Sequence, residues 1–346
     1  MRVLALGASI ALGLGLLAVI LYYVGWQGIV REIASLGWIG FLALAGDFSL
    51  TFFFWALTWR IILRAYGIGA PWKAVFRALL SGYTVSYLTP SFYFGGEPVR
   101  VYIFAKELDL PQPRLYATVL VSKLLEALGL ILFILLGVFY ALFAEGNLSQ
   151  IQRRSLFYGA IFFSFWVLLG LINFSFDLSM GTWLLRGLRR LLPWKEALGK
   201  AAEKVGEVER EIYQAFHQGS KLPATAVAFL TSLLANFLIY LRPQIFFYFS
   251  QGRSLSFANL SLVYSLWVLL AALFWITPGG IGISEGGWIG IFTLVGIAET
   301  GAVAFSLILK GFELTFVALG VSLLMEFGLL HRLRSKSRSR SRSRHT

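Results

Sequence analysis

Cysteine is absent from this 346-residue chain. That excludes disulfides, thiolate nucleophiles and Cys-ligated zinc or iron–sulfur centres. Histidine is scarce: His217, His331 and His345 lie far apart and outside the apolar runs, which argues against a histidine-based metal site. The only aspartates are Asp47, Asp109 and Asp177, so no Asp-x-Asp metal–nucleotide motif can exist. Charged residues make up 14% of the chain, where a soluble protein carries roughly a quarter. No nucleotide-binding motif is present, and no cofactor is expected.

What is there is apolar. Hydrophobic residues account for 58% of the chain, in repeated runs, and a helix needs about 20 apolar residues to cross a bilayer. The fold class is therefore all-α, a polytopic membrane protein. The short alternating segments of an outer-membrane barrel are missing. Full spans are expected near 3–24, 39–63, 115–143, 155–174, 223–249 and 302–330. Two further apolar segments, 73–89 and 256–276, each run into a break, giving about six full spans and two broken or re-entrant hairpins. The transmembrane domain covers 1–331. It includes one sizeable polar stretch, 183–221, whose apolar residues recur at helical spacing between charges. This stretch is an amphipathic helix, suited either to the membrane surface or to packing on its own protein. Residues 332–346 form a basic Ser/Arg tail with the composition of a flexible segment. Following a span directly, the tail suits anionic lipid better than nucleic acid.

The two breaks share one pattern. Thr89-Pro90 and Thr277-Pro278 are each followed by six residues and then a glutamate, Glu97 and Glu285. The backbone turns are assigned to Pro90, Gly95 and Gly96 in the first and to Pro278, Gly279, Gly280 and Gly282 in the second. Lysine and arginine in short loops mark the cytoplasmic side. Lys73, Arg77 and Arg100 put both ends of the first hairpin there, while the second is approached from outside. Hairpins entering from opposite faces are the inverted-repeat logic of transporters. Eight ordinary spans are the alternative.

A carboxylate at membrane depth is costly unless it is paired or solvated, so Glu97 and Glu285 are the first candidates for function. The plain alternative is that both cap helix N-termini. Arg100, one turn past Glu97, can pair with it or share a zwitterion. Arg60 and Arg64, four apart on one helix face, can grip a phosphate or act as positive-inside anchors. Lys123 and Glu126 share a face and read as a structural ion pair. Asp47 lies near a span centre; Arg242, followed by Pro243, and Lys310 with Glu313 are further charges in or near spans.

Three segments together resemble the flippase-like transmembrane family, the membrane region of lysylphosphatidylglycerol synthases and its stand-alone relatives. They are Trp59-Arg60-Ile61-Ile62-Leu63-Arg64, Gly96-Glu97-Pro98-Val99-Arg100, and Thr277-Pro278-Gly279-Gly280-Ile281-Gly282 with Glu285. The resemblance runs from about residue 3 to 330. It departs at Ser122-Lys123 and Glu126, where the family often has Glu-Arg and a later Asp, and at Ser284, often basic in the family.

The resemblance implies translocation of a lipid between leaflets. No soluble aminoacyl-transferase domain follows in this sequence. The expected function is a non-enzymatic lipid translocase or lipid-binding protein of the plasma membrane, with a cytoplasmic C-terminus. Its substrate-binding candidates are Glu97, Arg100, Glu285, Arg60, Arg64, Asp47, Lys123 and Glu126. No catalytic or metal-binding residue is assigned. The expected partner is a membrane lipid, with a lipid-modifying enzyme as a further one, and no nucleic acid. The alternatives are a membrane glycosyltransferase or lipid-modifying transferase, or an accessory subunit of one.

Overall fold

The computed structural model describes residues 2–89, 95–143, 149–176, 178–191, 195–217, 221–273 and 277–342, and these are helical almost throughout, with no strand among them. In lipid, backbone N–H and C=O groups must find partners within the protein, and a helix does so within one segment. The chain starts with α1 (Arg2–Val24), which turns at Gly25 (φ 92°) into α2 (Trp26–Ser35). The two are bent by 86°, and α2 buries Ile29 while leaving Trp26 exposed. An apolar face with tryptophan at its edge is the pattern of a helix lying along the bilayer interface.

Next come α3 (Gly37–Ala65), α4 (Trp72–Leu88), α5 (Glu97–Leu108), α6 (Gln112–Phe143) and α7 (Gln150–Ser175). The amphipathic stretch forms α8 (Met180–Leu191) and α9 (Lys195–His217), which pack on each other. The stretch packs on its own protein: α9 also contacts α6, α7 and α10, and buries Ala202, Glu209 and Ile212. The Glu209 carboxylate accepts the N–H groups of Gly181 (2.8 Å) and Thr182 (3.3 Å) and the Thr182 hydroxyl (2.7 Å). It thus satisfies donors that the first turn of α8 leaves open.

The chain closes with α10 (Leu222–Gln251), α11 (Phe257–Leu273), a 3-10 turn at Pro278–Gly280, α12 (Ile283–Thr293) and α13 (Glu299–Arg342). All six expected crossings fall on helices: α1, α3, α6, α7, α10 and α13. Among the described residues, four helices are long and apolar enough to cross a membrane: α3, the Gln112–Phe139 part of α6, α10, and the Glu299–Gly328 part of α13. The bent pair of α1 and α2 makes a fifth if it counts as one span. The protein is an all-α, multi-pass membrane protein. Helix α13 continues to Arg342, through most of the Ser/Arg tail.

The two broken segments are helical hairpins. Helices α4 and α11 have 17 residues each, a rise of about 26 Å, which falls short of a hydrocarbon core of about 30 Å. In the first hairpin the Ser86 hydroxyl accepts the Gly96 N–H at 2.9 Å, and Arg77 pairs with Glu107 at 3.0 Å. Residue 86 therefore faces 96 and residue 77 faces 107, so α5 returns antiparallel along α4. Glycine allows the approach, since a Cβ on Gly96 would collide with the Gly82 carbonyl. In the second hairpin Trp267 of α11 stacks on Trp288 of α12, with ring centroids 4.2 Å apart. Each hairpin sits in its own apolar core, the first around Trp59, Val75 and Phe104, the second around Phe247, Phe292 and Phe305.

Both hairpins lean on α13, from opposite ends. Arg77 of α4 pairs with Glu326 at 3.1 Å, and the Thr84 hydroxyl donates to the Val317 carbonyl at 3.2 Å. From the other end, Trp288 and Phe292 of α12 pack edge-on against Phe305, with centroids 5.0 and 5.2 Å away. The two tips reach the middle of the α13 span, next to Lys310 and Glu313.

Candidate functional site at the hairpin tips

The second tip is shaped by glycine. Gly279, Gly280 and Gly282 have φ of 60°, 65° and 81°, a region that side chains with a Cβ rarely occupy. The turn exposes backbone groups, and the Lys310 ammonium donates to the Gly279 carbonyl at 2.6 Å. The Tyr87 ring, at the end of α4, lies over Gly279 so closely that a Cβ there would come within 2.6 Å of it. The two tips are thus in direct contact.

Glu285 is wholly buried and fully engaged. Its Oε2 accepts the Gly282 N–H at 2.7 Å and the Ser284 hydroxyl at 3.1 Å. Its Oε1 accepts the Ser306 hydroxyl at 3.3 Å and lies 3.5 Å from Lys310 Nζ. Glu285 therefore caps α12 and clamps it to α13, and it is not among the residues lining the neighbouring cavity.

That cavity, of about 80 Å³, lies between α10, α11, the second tip and α13. It exceeds what one water molecule requires. Its lining carries Arg242, Lys310 and Glu313, the hydroxyls of Ser284 and Ser306, and the rings of Tyr264 and Trp267. Pro243 also lines it and lacks an N–H, so the Ile239 carbonyl beside it has no helical donor. Arg242 is oriented by α3: its Nε donates to Asp47 Oδ1 at 2.7 Å, its Nη2 donates to the Thr51 hydroxyl at 3.1 Å, and its guanidinium stacks 3.8 Å above the Phe48 ring. Asp47 thus acts through Arg242.

The first hairpin holds a different group. Arg100 is buried, its guanidinium 3.8 Å above the Trp59 ring, while its Nε and Nη2 have no hydrogen-bond partner. Trp59 is held in turn by its Nε1–H donating to Thr118 at 3.0 Å. Glu97 starts α5, half-buried, and its Oε2 is also without a partner. Lys123 and Glu126 form their ion pair at 2.9 Å. Arg60 turns elsewhere: its Nε donates to the Ala70 carbonyl at 2.8 Å and its guanidinium lies 4.3 Å above the Trp72 ring. Arg64 is exposed. Among the described residues no hydrogen bond or ion pair joins Arg60 or Arg64 to Arg100, or Glu97 to Glu285. Gly95 and Gly96 lead into α5; Pro90 lies outside the described residues.

The residues the sequence did not single out as site residues are Arg242, Lys310, Glu313 and Tyr87. The first three carried a usable signal, since each is a charge within an apolar helix. Tyr87 carried none, for its position depends on where the second tip lands.

The chain is a multi-pass helical membrane protein with two broken-helix hairpins that lean on α13 from opposite ends. The family model for the lysylphosphatidylglycerol synthase TM region matches residues 6–320, and the chain belongs to that family. A UPF0104 membrane protein of Pyrococcus horikoshii is 26% identical over 310 residues, which are 86% of this chain and 90% of that protein. A UPF0104 membrane protein of Methanothermobacter thermautotrophicus is 24% identical over 284 residues, 79% of this chain and 80% of its own. One of Methanocaldococcus jannaschii is 30% identical over 82 residues, 24% of either chain. No solved structure matches.

Proposed function

We propose that this protein binds the headgroup of a phospholipid or polyprenyl-type lipid at the hairpin tips and passes it between leaflets. The observation that carries this is the cavity of about 80 Å³ at the middle of the α13 span, where the two hairpins touch. It suits a headgroup, not a whole lipid, so the acyl chains would stay in the bilayer while the polar part crosses. Arg242 and Lys310 offer positive charge to a phosphate, and Ser284, Ser306 and the Ile239 carbonyl offer hydrogen bonds. Arg100, with two unpartnered guanidinium nitrogens, serves as a second station inside the first hairpin. Membership of the lysylphosphatidylglycerol synthase TM family supports a lipid as substrate. The basic tail favours a cytoplasmic C-terminus in the plasma membrane.

Reconstitution in liposomes with a fluorescent phospholipid in one leaflet tests this. Exchange should accelerate with the protein and fall at least about tenfold in Arg242→Met, a loss of the order given by one charged hydrogen bond (about 1.5–3 kcal/mol). No acceleration by the wild-type chain, or product formation from lipid and an activated donor, rejects translocation in favour of a transferase or its accessory subunit.

A further inference from the structure

The charges at the hairpin tips do not balance. Two cations, Arg242 and Lys310, face three carboxylates, Asp47, Glu285 and Glu313. Asp47 is paired with Arg242 at 2.7 Å, and Glu285 lies 3.5 Å from Lys310. Glu313 is left over. Among the described residues it is in ion-pair distance of neither cation, and it is the single acid lining the cavity. Its neighbours come from every side: Tyr87 from α4, Arg242 from α10, Glu285 from α12 and Lys310 from its own helix, with Asp47 of α3 behind Arg242 and Tyr264 of α11 across the cavity. Helix α2 packs at the Thr300 end of α13, and its Glu32 is held by Gln251.

A second observation points the same way. The Tyr87 hydroxyl is buried beside Glu313, as the neighbouring hydroxyl to its carboxyl group. A hydroxyl can donate to a carboxylate or accept from a carboxylic acid, so this neighbour serves both states of a carboxyl that gains and loses a proton. Hard cations such as calcium and magnesium gather about six oxygen ligands, and no group of three or more His, Cys, Asp or Glu suited to a metal exists among the described residues. A proton needs a single carboxyl oxygen.

We infer that Glu313 carries an exchangeable proton, and that this proton and an anionic group in the cavity bind together. With the proton, the cluster is neutral; without it, the cluster is net negative and repels an anion. By linkage, an anion in the cavity strengthens proton binding by the same factor as the proton strengthens anion binding. This rests on the proposed function only in taking the anion to be a lipid headgroup.

The test uses the full chain in nanodiscs of zwitterionic lipid, followed by infrared difference spectroscopy as pH is raised. Wild type should lose a protonated-carboxyl stretching band that Glu313→Gln lacks from the start. Tyr87→Phe should shift the midpoint of that loss while keeping the band. Inorganic phosphate in one arm and a short-chain anionic phospholipid in the other distinguish a free anion from a headgroup, and at least one should move the wild-type midpoint to higher pH. A titrating band unchanged in Glu313→Gln, or one displaced by sodium at constant pH, overturns the proton assignment; no shift with either anion overturns the linkage. The band is read without any lipid movement. A protein that exchanges no lipid but passes the infrared test therefore loses the proposed translocation and keeps the proton site.

Discussion

The two hairpins begin from nearly the same sequence pattern and end in opposite electrostatic states. At the second tip the motif glutamate is sealed: Glu285 accepts three hydrogen bonds, faces Lys310 at 3.5 Å and has no exposure. At the first tip Glu97 is half-buried with an unpartnered oxygen, and Arg100 stacks on Trp59 with two nitrogens unmet. The repeated pattern therefore specifies a shape, namely a glycine-rich break that starts a short helix at a glutamate. It does not specify the glutamate's duty, which depends on what α13 presents opposite it. Lys310 stands opposite Glu285, and no described ion pair reaches Glu97.

The contrast can be broken experimentally, most severely at Lys310. Lys310→Met leaves Glu285 buried without its cation, and removing one partner of a buried pair costs about 3–5 kcal/mol. Denaturant unfolding in detergent should show that loss, and Lys310→Met combined with Glu285→Gln should recover much of it. Equal losses in the single and double variants would mean the two side chains do not act as a pair. Glu285→Gln alone removes the other partner of that same buried pair, so it should cost as much as Lys310→Met, about 3–5 kcal/mol. Next comes Gly96→Ala, whose Cβ would collide with the Gly82 carbonyl. Overpacking of this kind costs about 1–3 kcal/mol, and the same unfolding assay should show it; a neutral result would place the hairpin legs further apart than described.

Glu97→Gln should change stability by less than about 1 kcal/mol, as partly exposed charges do. A Glu97→Gln loss matching that of Glu285→Gln would erase the distinction drawn between the tips. The smallest effect is a geometric check. Since the chain has no native cysteine, Thr84→Cys with Val317→Cys should crosslink, because the Thr84 hydroxyl donates to the Val317 carbonyl. Failure to crosslink under mild oxidation would argue against α4 lying on the far half of α13.

Much of the architecture was legible beforehand. The spans were readable because a bilayer demands long apolar helices, and the breaks because proline and glycine interrupt them. Loop lysines and arginines suggest opposed hairpins, and the two meet α13 from opposite ends. The candidate site was only half legible. Asp47 drew notice as a charge at a span centre, but its partner Arg242 is 195 residues away, and no local spacing connects them. Arg60 and Arg64 looked like a phosphate grip at four-residue spacing, yet Arg60 is taken up by the Ala70 carbonyl and the Trp72 ring. Spacing places two side chains on one face of a helix; it does not say which neighbours compete for them.

By itself, then, the sequence determined the solvent, the helical class, the number and position of the apolar elements, and the two places where the backbone breaks. Each of these follows from a local property: hydropathy over one span, or the conformational freedom of one glycine. The tertiary structure alone decided that the two tips touch through Tyr87 and Gly279, that Glu285 is taken up by Lys310 and its cap, and that Glu313 faces a cavity outside ion-pair distance of the cations that line it. Those outcomes depend on which residues of distant helices meet at mid-span, where low polarity makes every unpaired charge costly and the count of partners decides which carboxylate remains free.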